Sequence, residues 1–253
     1  HAEMEVAGHI RRLLQTSARF PPIQVAKAVA WAEKRMGLTF DPSQAAALAM
    51  SLSNKLSIIT GGPGVGKTTI IRALVDIFRA RRLAVVLAAP TGRAAKRLEE
   101  ATGAKAQTIH RLLKVQPGTG QFEHGPGKAI EADVCILDEV SMMDVMLMHT
   151  MLGALRSNAS LVLVGDTDQL PSVGPGNVLR DCIDSGALPA TRLERIFRQQ
   201  SRSWIVRNAH QINHGEFLDL PPREAADTAD FFFIETEEPD DVIRRLVTLL
   251  TER

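Results

Sequence analysis

The sequence predicts an α/β fold, a central and mostly parallel sheet with helices on both faces, and three observations predict it. Near-continuous apolar runs at Ser57–Thr60, Ala84–Ala89, Asp133–Leu137 and Ser160–Val164 have the length of strands. Lacking polar alternation, they fit strands covered on both faces, as in a parallel sheet. Segments with helical apolar spacing follow them at 67–81, 92–102, 108–114 and 142–156, which makes a βαβ succession. A glycine-rich turn joins the first strand to its helix. A chain of 253 residues, 45% hydrophobic, can bury one substantial core with extra pieces at its ends.

Taken in order, residues 4–14 and 22–36 carry helical spacing (Val6, Ile10, Leu13, Leu14; then Ile23, Val25, Ala26, Val29, Ala30) and are parted by Pro21-Pro22. They predict a small N-terminal helical appendage, residues 1–38. Asp41 is placed as an N-cap with Pro42 in the first helical position, leading into Ala45–Ser51. Residues 115–128 are rich in Gly and Pro and read as an exposed loop or hairpin. After 215 the character changes: Phe231–Ile234 reads as a strand and Asp240–Leu250 as a helix. The division is therefore 1–38, a main domain at 39–215, and a strand-helix segment at 216–253.

Whole-chain properties exclude some classes. A net charge of +1 gives no global electrostatic argument for or against a polyanionic partner. Cys135 and Cys182 are far apart, and Cys135 lies in an apolar run, so buried free thiols in a reducing compartment are expected. No apolar run reaches the ~18 residues needed to cross a bilayer, and the first residues lack a secretory pattern. The expectation is a cytoplasmic protein without a membrane partner. A first residue His1 inside an already helical pattern suggests an excised fragment or a scar of expression.

Residues 61–69, GGPGVGKTT, fit the pattern G-x-x-x-x-G-K-[ST] through Gly61, Gly66, Lys67 and Thr68. Between a buried strand and a helix, such a loop lets backbone N–H groups close around phosphates and adds a mobile lysine cation. Gly62, Pro63, Gly64, Val65, Gly66, Lys67, Thr68 and Thr69 are the nucleotide-contact candidates, with the Thr68 hydroxyl suited to Mg²⁺. The strand at 134–137 ends in Asp138-Glu139. Phosphoryl transfer needs a hard oxygen ligand for Mg²⁺ and a group that deprotonates water, so Asp138 suits the metal and Glu139 the base. Asp166, Asp168 and Gln169 follow the next strand. Gln169 suits sensing of a terminal phosphate, while the two aspartates fit local capping equally well.

The ordered blocks PSQAAAL (42–48), GGPGVGKTT (61–69), APTGRAAKRL (89–98), QTIHRLL (107–113), ILDEVSMMD (136–144), LVGDTDQLPSVGPGNVL (163–179) and LERIFRQ (193–199) resemble the helicase motifs of superfamily one, in the RecD-like branch. The resemblance covers ~40 to ~215 and continues more weakly through 208–213 and 230–235. It implies a RecA-like P-loop NTPase fold and an ATP-dependent DNA helicase motor, moving 5′ to 3′ on single-stranded DNA in repair or recombination. It also implies adenine contact by Gln44, phosphate sensing by Gln169, and an arginine at Arg198 reaching the γ-phosphate.

Strand contact needs phosphate tracking rather than base readout. Pro90, Thr91 and Arg93 follow a strand and open a helix, a place suited to a phosphate. His110, Arg111, Val173 and Asn177 lie in segments that resemble the family's other strand contacts. A 4% aromatic content with no Tyr argues against extensive base stacking. No counterpart of the family's second RecA-like domain appears after 215, so a chain like this is expected to hydrolyse ATP poorly alone and to need that domain, with recombination-nuclease subunits as further possible partners. Two alternatives stand beside this reading: another phosphate-loop motor, disfavoured by the QTIHRLL and GDTDQLPSVGPGN blocks, and a non-catalytic nucleotide-binding and DNA-docking module, disfavoured by intact Lys67, Asp138 and Glu139.

Overall fold

The apolar runs form strands for the reason their composition suggests. In the computed structural model, which describes residues 1–18, 20–195, 203–222, 229–236 and 238–251, they are β1 (Leu56–Thr60), β2 (Val85–Ala89), β4 (Val134–Leu137) and β5 (Ser160–Gly165). Successive side chains of these strands enter two different cores. Leu56, Ile58, Cys135, Leu137, Leu161 and Leu163 pack on one face. Ile59, Val134, Ile136, Val162 and Val164 pack on the other. A period of two with both phases apolar is what a doubly covered sheet requires.

Two three-residue strands complete the sheet among the described residues, β3 (Ala106–Thr108) and β6 (Ala190–Arg192), in the order β3-β2-β4-β5-β1-β6. Every pairing is parallel. These edge strands escape the sequence reading because three half-exposed residues such as Ala-Gln-Thr show no apolar period. Parallel pairing sends all six strands out at one edge, and the loops beyond that edge carry the candidate residues.

The helices are α1 (Ala2–Leu14), α2 (Val25–Met36), α3 (Pro42–Ser53), α4 (Lys67–Ala80), α5 (Gly92–Thr102), α6 (Ile109–Leu112), α7 (Val145–Gly153), α8 (Val178–Asp184), α9 (Trp204–Asn213) and α10 (Pro239–Thr251). The helix expected over 108–114 is one turn following β3, capped by Thr108. The one expected over 142–156 is split. A 3₁₀ turn at Val140–Met142 precedes α7, because the Asp144 side chain accepts from the Leu147 N–H at 2.8 Å and starts a new helix.

The N-terminal helices pack directly on the layers around the sheet. Val6 and Leu13 of α1 are buried in the core that holds Met148, Met151 and Leu152 of α7. Arg12 donates to Leu152 O (2.7 Å), Leu155 O (3.0 Å) and Ser157 Oγ (2.9 Å), which places a cation over the C-terminal carbonyls of α7. Lys55 Nζ donates to Leu13 O, Thr16 O and Ser157 O. Ala32 of α2 is fully buried beside α3 and α4.

The chain divides into two compact units, His1–Phe197 and Arg198–Arg253, upstream of the boundary expected at 215. In the second unit, Ser203 caps α9, and Asn208 exchanges hydrogen bonds with the Asp219 backbone. Phe231–Ile234 is not a strand. It pairs with no described strand, and Phe232 and Phe233 are exposed. Its apolar β-formers lack a sheet to join, and strand structure depends on a hydrogen-bonding neighbour. The helix expected at 240–250 is α10, amphipathic and without a buried residue.

Candidate active site

The glycine loop bridges β1 and α4. A Cβ on Gly61 would meet Leu193 O at 2.7 Å and Val65 Cγ2 at 2.8 Å, so no larger residue fits without displacing backbone. Gly64 and Gly66 turn the chain with φ of 81° and 88°, conformations glycine adopts without steric cost. Buried Val65 anchors the loop in the core. Gln44 supports it from behind: its Oε1 accepts from Asp41 N (3.3 Å), closing the α3 capping box, and its Nε2 donates to Val65 O (3.4 Å). At 2% exposure, Gln44 is buried with its amide oxygen and nitrogen both engaged.

This loop fits a phosphate group. The first N–H groups of α4 have no intrahelical acceptor, and its N-cap, Gly66, brings no side chain to satisfy them. Lys67 Nζ folds back onto Gly61 O and Gly62 O (2.9 Å for the latter), so the cation lies over the loop.

β4 delivers Asp138 and Glu139 beside it. The Asp138 N–H donates to Ala88 O at 2.9 Å, which fixes the end of β4 against β2. Burial, reinforced by the Glu139 charge, pushes the Asp138 carboxyl up to about 6, against the opposing effects of the Glu139 N–H and the Lys67 charge. Glu139 adopts φ 54°, a conformation non-glycine residues rarely take. Its Oε2 is buried and accepts no hydrogen bond among the described residues. This leaves the Glu139 carboxylate with an unused acceptor beside Asp138.

A cavity of about 280 Å³ joins these groups: Thr68, Asp138, Glu139 and Gln169 line it together with Thr91, Arg93 and Arg97 of the α5 turn. The Thr68 hydroxyl and the Asp138 carboxylate suit a hard cation such as Mg²⁺, which takes its remaining ligands from water and phosphate oxygens. Among the described residues no group of three or more His, Cys, Asp or Glu forms a self-sufficient metal site.

Gln169 is held by Asp166, its Nε2 donating to Asp166 Oδ2 at 3.3 Å. Asp166 also accepts from the Asp168 N–H (3.0 Å), and Asp168 pairs with Arg192 of β6 at 2.8 Å. Of the two readings for these aspartates, local capping and bracing is the one seen.

The remaining candidates are spread along the same edge. Thr91 Oγ1 caps α5 through Ala94 N (3.2 Å) just after Pro90. His110 lies against Phe122, with ring centroids 6.0 Å apart, and its neighbour Arg111 is exposed. Val173 is fully exposed in the loop after β5, and Asn177 is the N-cap of α8. Pro90, His110, Arg111, Val173 and Asn177 do not line the cavity, and Arg198 lies outside the described residues. Arg97 went unrecognised in the sequence; its one signal was its place four residues after Arg93, hence on the same helix face.

The sequence profile of a family described as an AAA domain matches residues 39–229. The ATP-dependent RecD2 DNA helicase of Deinococcus radiodurans is 39% identical over 99% of this chain and 33% of its own length. The RecBCD enzyme subunit RecD of Mycolicibacterium smegmatis is 38% identical over 62% of this chain and 32% of its own. The chain thus spans about a third of the length of these relatives. Among solved structures, the Pif1 helicase of Candida albicans superposes with a TM-score of 0.50 at 22% identity, covering 75% of this chain and 47% of that one, a likeness of fold. The chain belongs to the AAA-domain family and is a homologue of the RecD helicases.

Proposed function

We propose that this chain is an ATP-hydrolysing motor domain that couples hydrolysis to movement along single-stranded DNA, with 5′ to 3′ polarity by analogy with the RecD-like helicases. The observation that carries this reading is the single cavity in which Thr68, Asp138, Glu139 and Gln169 share walls with Thr91 and Arg93. Chemistry and strand contact within one cavity give hydrolysis a short path to the DNA.

In this reading the loop from Gly62 through Pro63, Gly64, Val65 and Gly66 to Thr69 wraps the nucleotide phosphates, and Lys67 leaves the Gly61 and Gly62 carbonyls to neutralise them. Thr68 and Asp138 hold Mg²⁺, which when bound offsets phosphate charge. Glu139 takes the proton of the attacking water, its free Oε2 being the acceptor. Gln169, braced on Asp166, reports the presence of the terminal phosphate. Gln44 sets the loop's position and reaches adenine after releasing Val65 O. Arg198 supplies a further cation to the γ-phosphate. Pro90, Thr91, Arg93, His110, Arg111, Val173 and Asn177 track the strand through its phosphates. A second RecA-like domain of the same protein and recombination-nuclease subunits are the protein partners, the latter because one relative is named a subunit of the RecBCD enzyme. No helix among the described residues is long and apolar enough to cross a membrane.

ATP hydrolysis measured with and without a single-stranded oligonucleotide tests this. Strand-stimulated hydrolysis is expected to fall by about 10²- to 10⁴-fold in Glu139→Gln, the scale of general-base removal, and to vanish in Lys67→Ala. Hydrolysis unchanged in both variants would reject the assignment.

A further inference from the structure

The cavity is lined by both acidic and basic side chains, and only the acids are used above for the reaction itself. The bases belong to α5, where Arg93 and Arg97, one turn apart, present two guanidinium groups. Among the described residues neither forms an ion pair or a side-chain hydrogen bond. The acids of their own helix are engaged elsewhere: Glu100 lies 3.9 Å from Lys96, and Glu99 Oε2 accepts from Ala106 N at 2.9 Å. Two cations therefore face a cavity large enough for a small oxyanion without an acid of their own.

We propose that Arg97, together with Arg93, forms a receiving site for the inorganic phosphate released by hydrolysis. The proposal rests on the ATPase reading above and deepens it. When water adds to the terminal phosphorus and the bond to the ADP oxygen breaks, the product is a free, doubly charged phosphate beside Asp138 and Glu139. The guanidinium forks of Arg93 and Arg97, which line the same cavity, match the geometry of its oxygens. The cavity thus offers the freed phosphate two cations that no acid already holds. Because both arginines are exposed, the site holds phosphate weakly and passes it to solvent, as a release route requires.

The test is a titration of orthophosphate into the 253-residue chain loaded with ADP and Mg²⁺, followed by ³¹P NMR, with a single-stranded thymidine oligonucleotide titrated separately. Arg97→Ala is expected to weaken orthophosphate binding by about tenfold, the scale of one exposed charge-assisted contact. Arg72→Ala, a substitution of another exposed arginine, should leave it unchanged. In single-turnover hydrolysis, Arg97→Ala should slow phosphate appearance in solution relative to bond cleavage. Orthophosphate affinity equal to wild type in Arg97→Ala overturns the proposal, as does a loss confined to the oligonucleotide, which would make the arginines strand contacts alone. A protein that binds orthophosphate through Arg97 but hydrolyses no ATP even when extended by the second RecA-like domain would sink the ATPase reading and keep the anion site. Both arginines are exposed and without partners, so these variants fold, and a thermal melt verifies it.

Discussion

Replacing Asp138 with Asn separates what the site costs the fold from what it does. Burial and the neighbouring Glu139 charge push the Asp138 carboxyl from 3.8 up to about 6. The folded chain therefore binds this proton more tightly than the unfolded chain. Below about pH 4 both forms are protonated and the group carries no penalty; between about 4 and 6 the unfolded chain ionises while the folded chain keeps the proton, so stability falls; above about 6 both are ionised and the full cost is present. Two units at about 1.4 kcal/mol each give roughly 3 kcal/mol. Asn has the same shape, is neutral, and its Oδ1 keeps the bond from the Glu139 N–H. In urea unfolding with EDTA and no nucleotide, Asp138→Asn should be more stable than wild type by up to about 3 kcal/mol at pH 8, with the gain closing as pH falls to about 4. Hydrolysis should be lost in the same variant. A stability difference that is absent, of opposite sign, or constant with pH would refute this account of the acid pair.

Other outcomes follow from particular contacts. A Cβ on Gly165 would lie 2.6 Å from Leu179 Cδ2 and 3.2 and 3.3 Å from the backbone nitrogens of Ser141 and Val140. Leu179 can rotate away but the backbone beside Glu139 must shift, so Gly165→Ala should cost about 1–3 kcal/mol in urea melts and lower kcat more than ATP affinity. Arg12→Ala removes three hydrogen bonds that hold α1 to the end of α7 and should destabilise the first unit by about 2–3 kcal/mol; a change within experimental error would show that the apolar contacts suffice. Burial pushes the thiols of Cys135 and Cys182 up to about 12 and about 11, so little thiolate exists at pH 8. Native protein should resist a disulfide-exchange reagent and titrate two thiols only after denaturation; rapid native labelling would contradict the burial.

Local sequence carried the inner sheet well, since a parallel strand covered on both faces is apolar along nearly its whole length, as β4 is throughout and β5 is from Leu161 to Val164. It carried the glycine loop and the Asp-Glu pair because their chemistry demands fixed residue types at fixed spacing. It missed β3 and β6, whose three residues hold their place through β2 and β1 rather than through any pattern of their own. It overread Phe231–Ile234, where strong β-formers meet no sheet. Gln44 shows the same limit at a single residue: its block was recognisable, but its packing against Asp41 and Val65 depends on α3 lying behind the loop. The site candidates were legible as a set of types, and their grouping was not.

The sequence by itself determined the parallel α/β architecture and the residue types of a phosphate site, because backbone geometry, burial on both sheet faces and phosphate chemistry each leave few alternatives. Tertiary structure decided which of those residues share a cavity, that Arg97 joins them, and that Asp138 is buried deeply enough to hold its proton. These depend on loops from four different strands meeting at one sheet edge, and through-space distance and burial, which set charge and proton affinity, are not functions of separation along the chain.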